Sequence, residues 1–460
     1  MNKPAMLAML LTPAALFADP SVERVIVRQQ WPWSTDVKVE YSLLGVGAAH
    51  PVDITVRAFN DGVELPSANL NAAITGDRYG VTSAVGTLTI DPVKAFGTEQ
   101  VALGSFTVQL TLSASAASTT EVLYKIIDLD NFTDRDVTRA DFLNGKMGDY
   151  VTDFKDIGVF DNYKAYYRTT LSDVLIWTGV TNVPEYKTSK MVMRKIPAKN
   201  VTFRMGIGAK TYSTSACSGS VMVTLTNDFY LGVFEVTEEQ YKRMTAVNGE
   251  LGTSPSSAGD AYPVGSLSYN SLRGDPASWS DWPGDQHAVA SGTAIAKLRA
   301  NMPGCLFDLP TEAQWEYACR AGTTNDLYVG FYVGGEANFM AAMGDLAWYA
   351  SNSDSAVHPV GMKRPNAFGL YDMLGNIKEH CRDLIAGTGT GDAQDPPALS
   401  GEATEPYGMA EGTAASWNIN VRGGAYNLGY AYCTAHARRQ NHKRSTSPVA
   451  GGFRLWLQAK

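Results

Sequence analysis

The stretch LPTEAQWEYA, residues 309–318, carries the clearest structural signal in the chain. Thr311 is followed three residues later by Gln314, which is the spacing of a capping box. In that arrangement each side chain accepts a hydrogen bond from the backbone N–H of the other residue at the start of a helix. Gly322 stands where a glycine typically ends a helix. The stretch therefore predicts a short, well-anchored helix.

A second helix start has the same design. Thr237 and Gln240 have capping-box spacing, and Val236 and Tyr241 are placed to form a hydrophobic staple across the turn. The chain around both helices is rich in glycine and in short strand patterns. Residues 187–460 are therefore predicted to form an α+β domain with much irregular structure.

The segment before this domain alternates between apolar and polar residues, as strands do. Several short strands separated by Gly, Pro, Asn and Asp clusters predict an all-β immunoglobulin-like sandwich over residues 19–131. The predicted strands are residues 25–27, 37–41, 52–56, 87–90 and 106–110. Residues 132–186 are interpreted as a connecting region without an assigned function.

The first 18 residues resemble an export signal. Lys3 supplies a positive charge, residues 5–17 are mostly apolar, and Ala18 can precede a cleavage site. The alternative is a disordered or buried apolar N-terminus. Export predicts a secreted or periplasmic protein. No other uncharged stretch approaches the ~18–20 residues that span a bilayer, so no membrane span is expected.

The net charge of the chain argues against nucleic acid as a partner. The net charge is −8, whereas binding to nucleic acid requires a basic surface. The charge is unevenly distributed, because residues 421–460 contain seven Lys or Arg and no Asp or Glu. The basic tail therefore opposes the sign of the whole chain.

An ordered series of motifs identifies the region 187–457 with a known family. The series is FRMG (203–206), DFYLG (228–232), EVT (235–237), LPTEAQWEYA (309–318), RAG (320–322), PVG (359–361), PNAFGLYDM (365–373), GN (375–376), RGG (422–424) and GFR (452–454). It resembles the sulfatase-modifying-factor family, which includes the formylglycine-generating enzymes. The resemblance implies a formylglycine-generating-enzyme domain with a C-type-lectin-like fold.

The resemblance implies an oxidase, but the copper-binding residues are incomplete. The family oxidises a sulfatase cysteine to an aldehyde, using oxygen and Cu(I) held by two thiolates, because soft Cu(I) prefers sulfur. Cys433 matches the second thiolate, and Leu428 stands in place of the first. Ala425 and Lys378 replace a serine and a tryptophan of the family. Copper is therefore not expected, and Cys433 is catalytic only if the chain is active.

The resemblance also implies a disulfide. An oxidising compartment permits at most two pairs among the five cysteines. Related secreted members often carry cysteines at the positions of Cys381 and Cys433, which predicts a bond between them. The alternative is a pair of small buried hydrophobic residues.

A structural calcium site is a further implication of the family. Residue-by-residue matching gives the Asp372 carboxylate, the Gly375 and Ile377 carbonyls and the Glu379 carboxylate as ligands, and oxygen donors suit this hard cation. In the alternative interpretation, Asp372 and Glu379 cap turns and pair with arginines. Asn338 and Phe339 are candidates for a second family site.

The basic tail predicts a ligand face, because this stretch commonly contributes to ligand binding in lectin-like folds. The candidate contacts are Tyr430, His436, Arg438, Arg439 and His442. A positive cleft attracts anionic ligands, so sulfated or uronic glycans are candidate partners, besides an exported protein. In the alternative interpretation, the arginines form internal pairs with Glu379, Asp383 or Glu316.

Three functions therefore remain open at the level of sequence. The first is an exported binding module without copper chemistry, in which the sandwich is a spacer. The second is a divergent formylglycine-generating oxidase that modifies exported sulfatases. The third is a variable lectin-like protein made by diversity-generating elements, which the polar and aromatic composition of residues 427–447 favours.

Overall fold

The chain divides into two units. The N-terminal unit comprises residues 1–121 and 138–146, and the C-terminal unit comprises residues 122–137 and 147–460. A computed structural model describes residues 20–30, 34–97, 102–152, 175–206, 220–275, 287–328, 336–386, 402–404, 417–438 and 442–459. The predicted export signal lies outside these residues.

The N-terminal unit contains two antiparallel sheets. Its elements are β1 (Ser21–Gln29), β2 (Val37–Leu44), β3 (Val52–Asn60), β4 (Val63–Glu64), α1 (Ser67–Ala73), β5 (Ile74–Thr75), β6 (Val85–Ile90), α2 (Pro92–Phe96), β7 (Phe106–Ala114), α3 (Ala117–Thr120) and α4 (Arg139–Leu143). The strand orders are β1-β2-β6-β5 and β4-β3-β7. All five predicted strands are confirmed.

The alternation of buried and exposed residues along the strands explains how the two sheets share one hydrophobic core. In β2, Val37, Val39, Tyr41 and Leu43 are buried, and the residues between them are at least partly exposed. They share a hydrophobic core with alternate residues of β3 and β6. The unit is nevertheless not all-β, because it includes short helices such as α2, which Asp91 caps. The immunoglobulin-like topology stays a prediction.

The N-terminal domain was predicted to end at residue 131, but the first segment of the N-terminal unit ends at residue 121, one strand earlier. Strand β8 (Val122–Asp128) pairs with β10 (Lys190–Ile196), and β9 (Thr133–Thr138) extends the same sheet. Both strands therefore join the C-terminal unit, and part of the predicted connecting region is sheet. The burial pattern gives the reason: β8 buries residues on both faces, as an inner strand does.

The C-terminal unit mixes helices and short strands, which confirms the α+β prediction. Its remaining elements are β11 (Val201–Gly206), β12 (Ser220–Leu225), β13 (Phe229–Gly232), α5 (Glu238–Met244), α6 (Tyr269–Arg273), α7 (Ala294–Asn301), β14 (Phe307–Asp308), α8 (Glu312–Arg320), α9 (Glu336–Leu346), β15 (Lys378–Ala386), β16 (Glu402–Thr404), β17 (Trp417–Arg422), β18 (His442–Lys443), β19 (Gly451–Gly452) and β20 (Trp456–Gln458). The sheets have orders β14-β20-β13-β10-β8-β9, β11-β12-β16 and β18-β17-β15-β19.

Both predicted capping boxes are present and position the helices. The Thr311 hydroxyl accepts from Gln314 N over 3.1 Å, and Gln314 Oε1 accepts from Thr311 N over 3.0 Å, at the start of α8. Thr237 and Gln240 form the same reciprocal pair before α5. Helix α8 is buried along its whole length, which places its acidic residues in the interior of the unit.

Candidate functional site

The RGG loop, residues 422–433, starts at the last residue of β17 and contains the two positions that match the family's copper ligands. Arg422 anchors its start: Nη2 donates to Glu316 Oε2 over 2.5 Å, and Nε lies 3.3 Å from Glu312 Oε2. Burial opposes ionisation of Glu316, but Arg320 and Arg422 hold the pKa of that carboxyl below its usual value. The predicted helix α8 therefore fixes the loop through a buried ion-pair network.

Close packing explains the second glycine of the motif. Gly424 has φ +78°, and a Cβ atom there would lie 2.5 Å from Cys433 Sγ and 2.6 Å from Tyr432 O. Both the backbone conformation and the space therefore require glycine. The loop folds back so that its last residue, Cys433, contacts Gly424 near its start.

Cys433 is buried completely. Its Sγ lies 3.8 Å from Ala425 O, and burial raises the pKa of the thiol to about 12, against a small opposing effect of that hydrogen bond. The side chain belongs to the main hydrophobic core of the unit. A neutral, enclosed thiol is a poor nucleophile and a poor metal ligand, because both roles require the thiolate.

Leu428 places its side chain in a small apolar cluster next to Cys433. It contacts a small cluster formed by Ile377, Ala425 and Ala450, whereas Cys433 lies in the main core. Its backbone carbonyl accepts from Ala350 N over 2.9 Å. The two positions that match the family's copper ligands therefore carry one thiol and one hydrocarbon side chain, and both residues contact Ala425 O, Leu428 through its backbone N–H at 3.0 Å and Cys433 through Sγ at 3.8 Å.

The predicted Cys381–Cys433 disulfide is wrong, because both residues carry free thiols in the structure. Cys381 lies on β15, is fully buried, and belongs to the same main core as Cys433. Burial raises the pKa of the Cys381 thiol well above its usual value. The two residues act as small hydrophobic side chains, which was the alternative interpretation.

Asp372 is the residue of the predicted calcium loop with an unsatisfied oxygen. Its Oδ2 accepts from Gly361 N over 2.6 Å, whereas its buried Oδ1 has no hydrogen-bond partner among the described residues. The backbone is left-handed at φ +54°. Burial is the main reason that the pKa of this carboxyl rises to about 6.

Glu379 already has a counter-ion. Arg454 Nη2 donates to Glu379 Oε1 over 2.8 Å, and Trp315 Nε1 donates to Oε2 over 2.7 Å. All three side chains are buried. The alternative interpretation, pairing with an arginine, is therefore confirmed for Glu379, and the family's calcium ligands fit this chain only in part.

A third buried carboxylate, Glu235, was not identified from the sequence. Its oxygens accept from Asn376 Nδ2 over 2.7 Å and from Ile377 N over 3.1 Å. Burial, followed by the charges of Asp372 and Glu379, raises its pKa well above the usual value. Its sequence signals were its place in the EVT motif, residues 235–237, and its position directly before the Val236 helix staple. Within the described ranges no group of three His, Cys, Asp or Glu is arranged to hold a metal ion.

Asn338 and Phe339 were the candidates for a second calcium site of the family. The side chain of Asn338 lies outside the described residues. Phe339 is fully buried in the main core, and its ring meets that of Tyr430 edge-on, with the centroids 5.7 Å apart. Tyr430 is half-buried, so part of its surface remains available to a ligand.

The structure places two of the predicted ligand contacts in the interior. His436 Nδ1 lies 3.2 Å from Asp326 Oδ1, and both side chains are fully buried. Arg438 Nε donates to Glu312 Oε2 over 2.7 Å and is 3% exposed. These two residues therefore do not form a ligand face, because internal carboxylates hold them. Arg439 and the His442 side chain lie outside the described residues.

A loop that carries no recognisable motif covers the RGG loop. Ser353 Oγ donates to Tyr426 O over 2.7 Å, and Ala350 N donates to Leu428 O. Asp354 and Ser355 at its tip are exposed and left-handed, an unusual backbone conformation for consecutive non-glycine residues. Sequence reasoning missed this loop because its contacts are made mainly through the backbone.

Lys378 occupies the position of the family's tryptophan and is 8% exposed. Burial lowers the pKa of its ammonium group. Ala425, which replaces the family's serine, is fully buried beside Leu428. Neither replacement supplies a sulfur ligand.

None of the described helices is long and apolar enough to cross a membrane. This finding concerns the described residues alone.

Comparison with known proteins places the site in a family. The sequence model of the Sulfatase-modifying factor enzyme 1-like domain matches residues 184–459. A formylglycine-generating enzyme from Streptomyces coelicolor is 31% identical over 153 residues, which cover 32% of this chain and 45% of that enzyme. The chain thus spans less than half the length of that relative.

Two further similarities extend the comparison. Chaperone protein LppX from Paenibacillus barcinonensis is 27% identical over 196 residues, covering 37% of this chain and 67% of that protein. The structure of PvdO from Pseudomonas aeruginosa has 21% identity and a TM-score of 0.45, and the match covers 58% of this chain and 94% of PvdO.

Proposed function

The chain belongs to the sulfatase-modifying factor enzyme 1-like family, and we propose that it is a binding member of that family without copper-dependent oxidase activity. The observation that carries this proposal is the buried Cys433 thiol, which has Leu428 in place of its partner thiolate. Two thiolates are needed to hold Cu(I) in the family's mechanism. The donor set present does not fit the metal.

The proposed binding surface is the tyrosine face, formed by the loop of residues 349–356 and by residues 426–432. Three half-buried tyrosines, Tyr426, Tyr430 and Tyr432, lie beside the exposed Asn427 on this face. The hydrogen bonds from residues 350 and 353 to the RGG loop pre-organise it. Rigid tyrosines contribute large contact areas at a low entropy cost, as in many protein-binding surfaces.

An exported protein is the ligand class that these observations favour. His436 and Arg438 lie against internal carboxylates, which removes two of the basic side chains that were predicted to face an anionic glycan. The similarity to a chaperone supports a protein ligand. Export itself, to the periplasm or the medium, and a spacer role for an immunoglobulin-like N-terminal unit remain parts of this proposal.

Calcium is proposed as a structural ion at Asp372, where the unpartnered Oδ1 supports a cation. The ion would supply positive charge to a buried group of carboxylates. Because Arg454 already neutralises Glu379, the proposed role of calcium is to neutralise Asp372 and stabilise its loop.

The copper arm of the test uses the recombinant chain. Cu(I) is titrated against a chromogenic chelator, and a sulfatase-derived cysteine peptide is assayed for aldehyde formation. We expect neither stoichiometric copper uptake nor aldehyde. Tight uptake that Cys433→Ser abolishes would contradict the proposal and support the divergent oxidase.

The binding arm of the test compares two variants with the same chemical change. Asn427→Arg places a bulky charge on the tyrosine face, and Asn227→Arg places it on another exposed turn. Candidate exported proteins are identified by cross-linking and purified, and their affinities are measured by calorimetry. We expect Asn427→Arg to weaken binding at least tenfold and Asn227→Arg to leave it unchanged. Equal affinities for both variants would place the binding surface elsewhere.

A further inference from the structure

Strand β7 (Phe106–Ala114) forms one edge of a sheet in the N-terminal unit. It is nine residues long and pairs with β3 along its whole length, without a bulge. No described strand pairs with its other side, although β1 of the second sheet packs beside it. An unpaired strand edge presents backbone N–H and C=O groups to solvent or to another strand. The edge of β7 is therefore a candidate interaction surface.

The other edge strands of the two sheets have features that discourage pairing with a second molecule. Strands β4 and β5 are only two residues long. Strand β1 has a bulge between Val22 and Arg24, and Glu23, Arg24 and Arg28 are exposed along it. Short length, bulges and charged side chains are the devices with which natural proteins block edge-to-edge association. Strand β7 has none of them, because its sequence FTVQLTLSA contains no charged residue and no proline.

The pairing with β3 determines which backbone groups of β7 face the free edge. At the two ends of the ladder, Asp61 N donates to Ser105 O over 3.1 Å, and Ser115 N donates to Pro51 O over 2.9 Å. Hydrogen-bonded positions alternate along an antiparallel strand, so the odd-numbered residues between these two ends bond to β3. The backbone groups of the even-numbered residues point away from β3, and they form no hydrogen bond with a described residue. This outward-facing set comprises Phe106, Val108, Leu110, Leu112 and Ala114.

The side chains of the same strand show that solvent reaches this edge. Phe106, Val108, Leu110 and Leu112 pack against the core of the unit but remain only half-buried. The core-facing residues of the inner strand β3 are, in contrast, all buried. A strand added beside β7 would therefore cover apolar surface in addition to pairing the free backbone groups.

The strand is complementary to a second copy of itself. Leu110 is its midpoint, and antiparallel pairing about this residue places Val108 opposite Leu112 of the other copy. The same pairing places the large Phe106 opposite the small Ala114. Each of these residues has its hydrogen-bonding groups at the free edge, so every outward-facing group meets a partner. Pairing about any other residue leaves part of the strand uncovered, so this register gives the greatest overlap.

The exposed face of the strand is compatible with the same register. With Leu110 at the two-fold axis, Gln109 lies opposite Thr111 of the other copy, and Thr107 lies opposite Ser113. All four residues are exposed and uncharged. No like charges therefore meet across the pair, and the polar side chains remain on the solvent face.

We propose that this chain forms a two-fold symmetric homodimer through antiparallel pairing of the two β7 strands. The pairing joins the sheets of order β4-β3-β7 from two copies into one continuous sheet. Both free edges are consumed in the pair, so the assembly closes at two copies and does not grow into a fibre. The contact is a single strand pair, so the dimer is weak, with a Kd on the order of 10 µM.

The test is sedimentation velocity of the full chain between about 1 and 200 µM. We expect the weight-average mass to rise with concentration from one copy toward two. Gln109→Lys combined with Thr111→Lys places like charges opposite each other across the pair, and dimerisation should weaken at least tenfold, or about 1.4 kcal/mol. Gln109→Glu combined with Thr111→Glu should weaken it to a similar extent. A mixture of the two variants should form a dimer at least tenfold tighter than either variant forms alone.

Matched controls separate this contact from general effects of charge. Val85→Lys combined with Thr87→Lys adds the same charges at two exposed positions of β6, which is not an edge strand, and dimerisation should not change. Asn427→Arg, which targets the tyrosine face, should dimerise like the parent, so the two proposals can fail independently. Circular dichroism verifies that each variant is folded. A parent that stays monomeric throughout, parental dimerisation in the folded lysine variant of β7, or a mixture without a dimer would overturn the proposal.

Discussion

Arg454 donates hydrogen bonds to both carboxylate oxygens of Glu379, with Nη2 2.8 Å from Oε1 and Nε 3.2 Å from each oxygen. Both side chains are buried. The remaining donors of Arg454 reach the backbone carbonyls of Gly232, Val233 and Tyr371. One guanidinium therefore joins β13, the loop that carries Asp372, and β15.

Breaking this pair should be costly. Glu379→Gln keeps the side-chain shape but leaves Arg454 buried without its counter-ion, and the free energy of unfolding should fall by about 3–5 kcal/mol. Urea denaturation followed by tryptophan fluorescence measures the change. The matched control is Asp345→Asn. The Asp345 side chain is 62% exposed and forms its ion pair with Arg364 at the surface. That substitution should change stability by at most about 0.5 kcal/mol. Equal midpoints for the two variants would show that the buried pair is not stabilising.

The raised pKa of Asp372 predicts the direction in which the stability of the fold changes with pH. Burial raises the pKa of its carboxyl to about 6 in the folded chain, above the unfolded value of about 4. The native state therefore binds more protons between these values, and this residue makes stability fall as the pH rises through that interval. In EGTA at pH 7.5, Asp372→Asn should raise the melting temperature, and at pH 4 the difference should nearly disappear.

The calcium proposal is tested in the same experiment. Calcium chloride should raise the melting temperature of the parent chain and leave Asp372→Asn unchanged. Asp354→Asn is a matched control, because Asp354 has the same left-handed backbone but is exposed. Equal calcium responses in the parent and in Asp372→Asn would exclude this loop as the binding site.

The Cys433 thiol should resist alkylation. With its pKa raised to about 12, very little thiolate exists at pH 8, and the sulfur is enclosed. N-ethylmaleimide should label the partly exposed Cys305 at least tenfold faster, and Cys433 should react only after denaturation. Mass spectrometry of tryptic peptides gives both rates in one sample. Comparable rates in the folded chain would mean that the RGG loop opens readily.

Restoring the missing cysteine should not restore the metal site. Leu428→Cys recreates the spacing of the family's two thiolates, but the Cys433 thiol stays fully buried and its pKa is raised to about 12, which opposes formation of the thiolate. Cu(I) affinity should therefore match that of Leu428→Ser, which has a similar packing loss without a sulfur atom. Stoichiometric copper binding by Leu428→Cys alone would indicate that only the thiol separates this chain from its copper-binding relatives.

Local signals predicted local structure well. The capping boxes at Thr237 and Thr311 were identified because their partners are three residues away, and the alternation of β2 needed only its own residues. The partner of Arg438, by contrast, is Glu312 on a helix distant in sequence, so this residue of the predicted ligand face is internal. The replacement of a matched cysteine by Leu428 could be identified from the sequence, because it concerns the residue type at one position. The sequence did not reveal that Cys381 and Cys433 are buried as separate thiols. That outcome depends on tertiary packing, which the spacing of the two residues along the chain does not determine.

The strand order of the six-stranded sheet bears on how the chain folds while it is being synthesised. Strand β20 lies between β14 and β13, and its partners include Phe229 and Phe307 from much earlier in the chain. The ribosome releases β13 long before β20 exists, so the nascent chain waits with unsatisfied strand edges. A chain truncated after β19 would leave the facing edges of β13 and β14 unpaired, so we expect the last strand to be required for this end of the sheet to close.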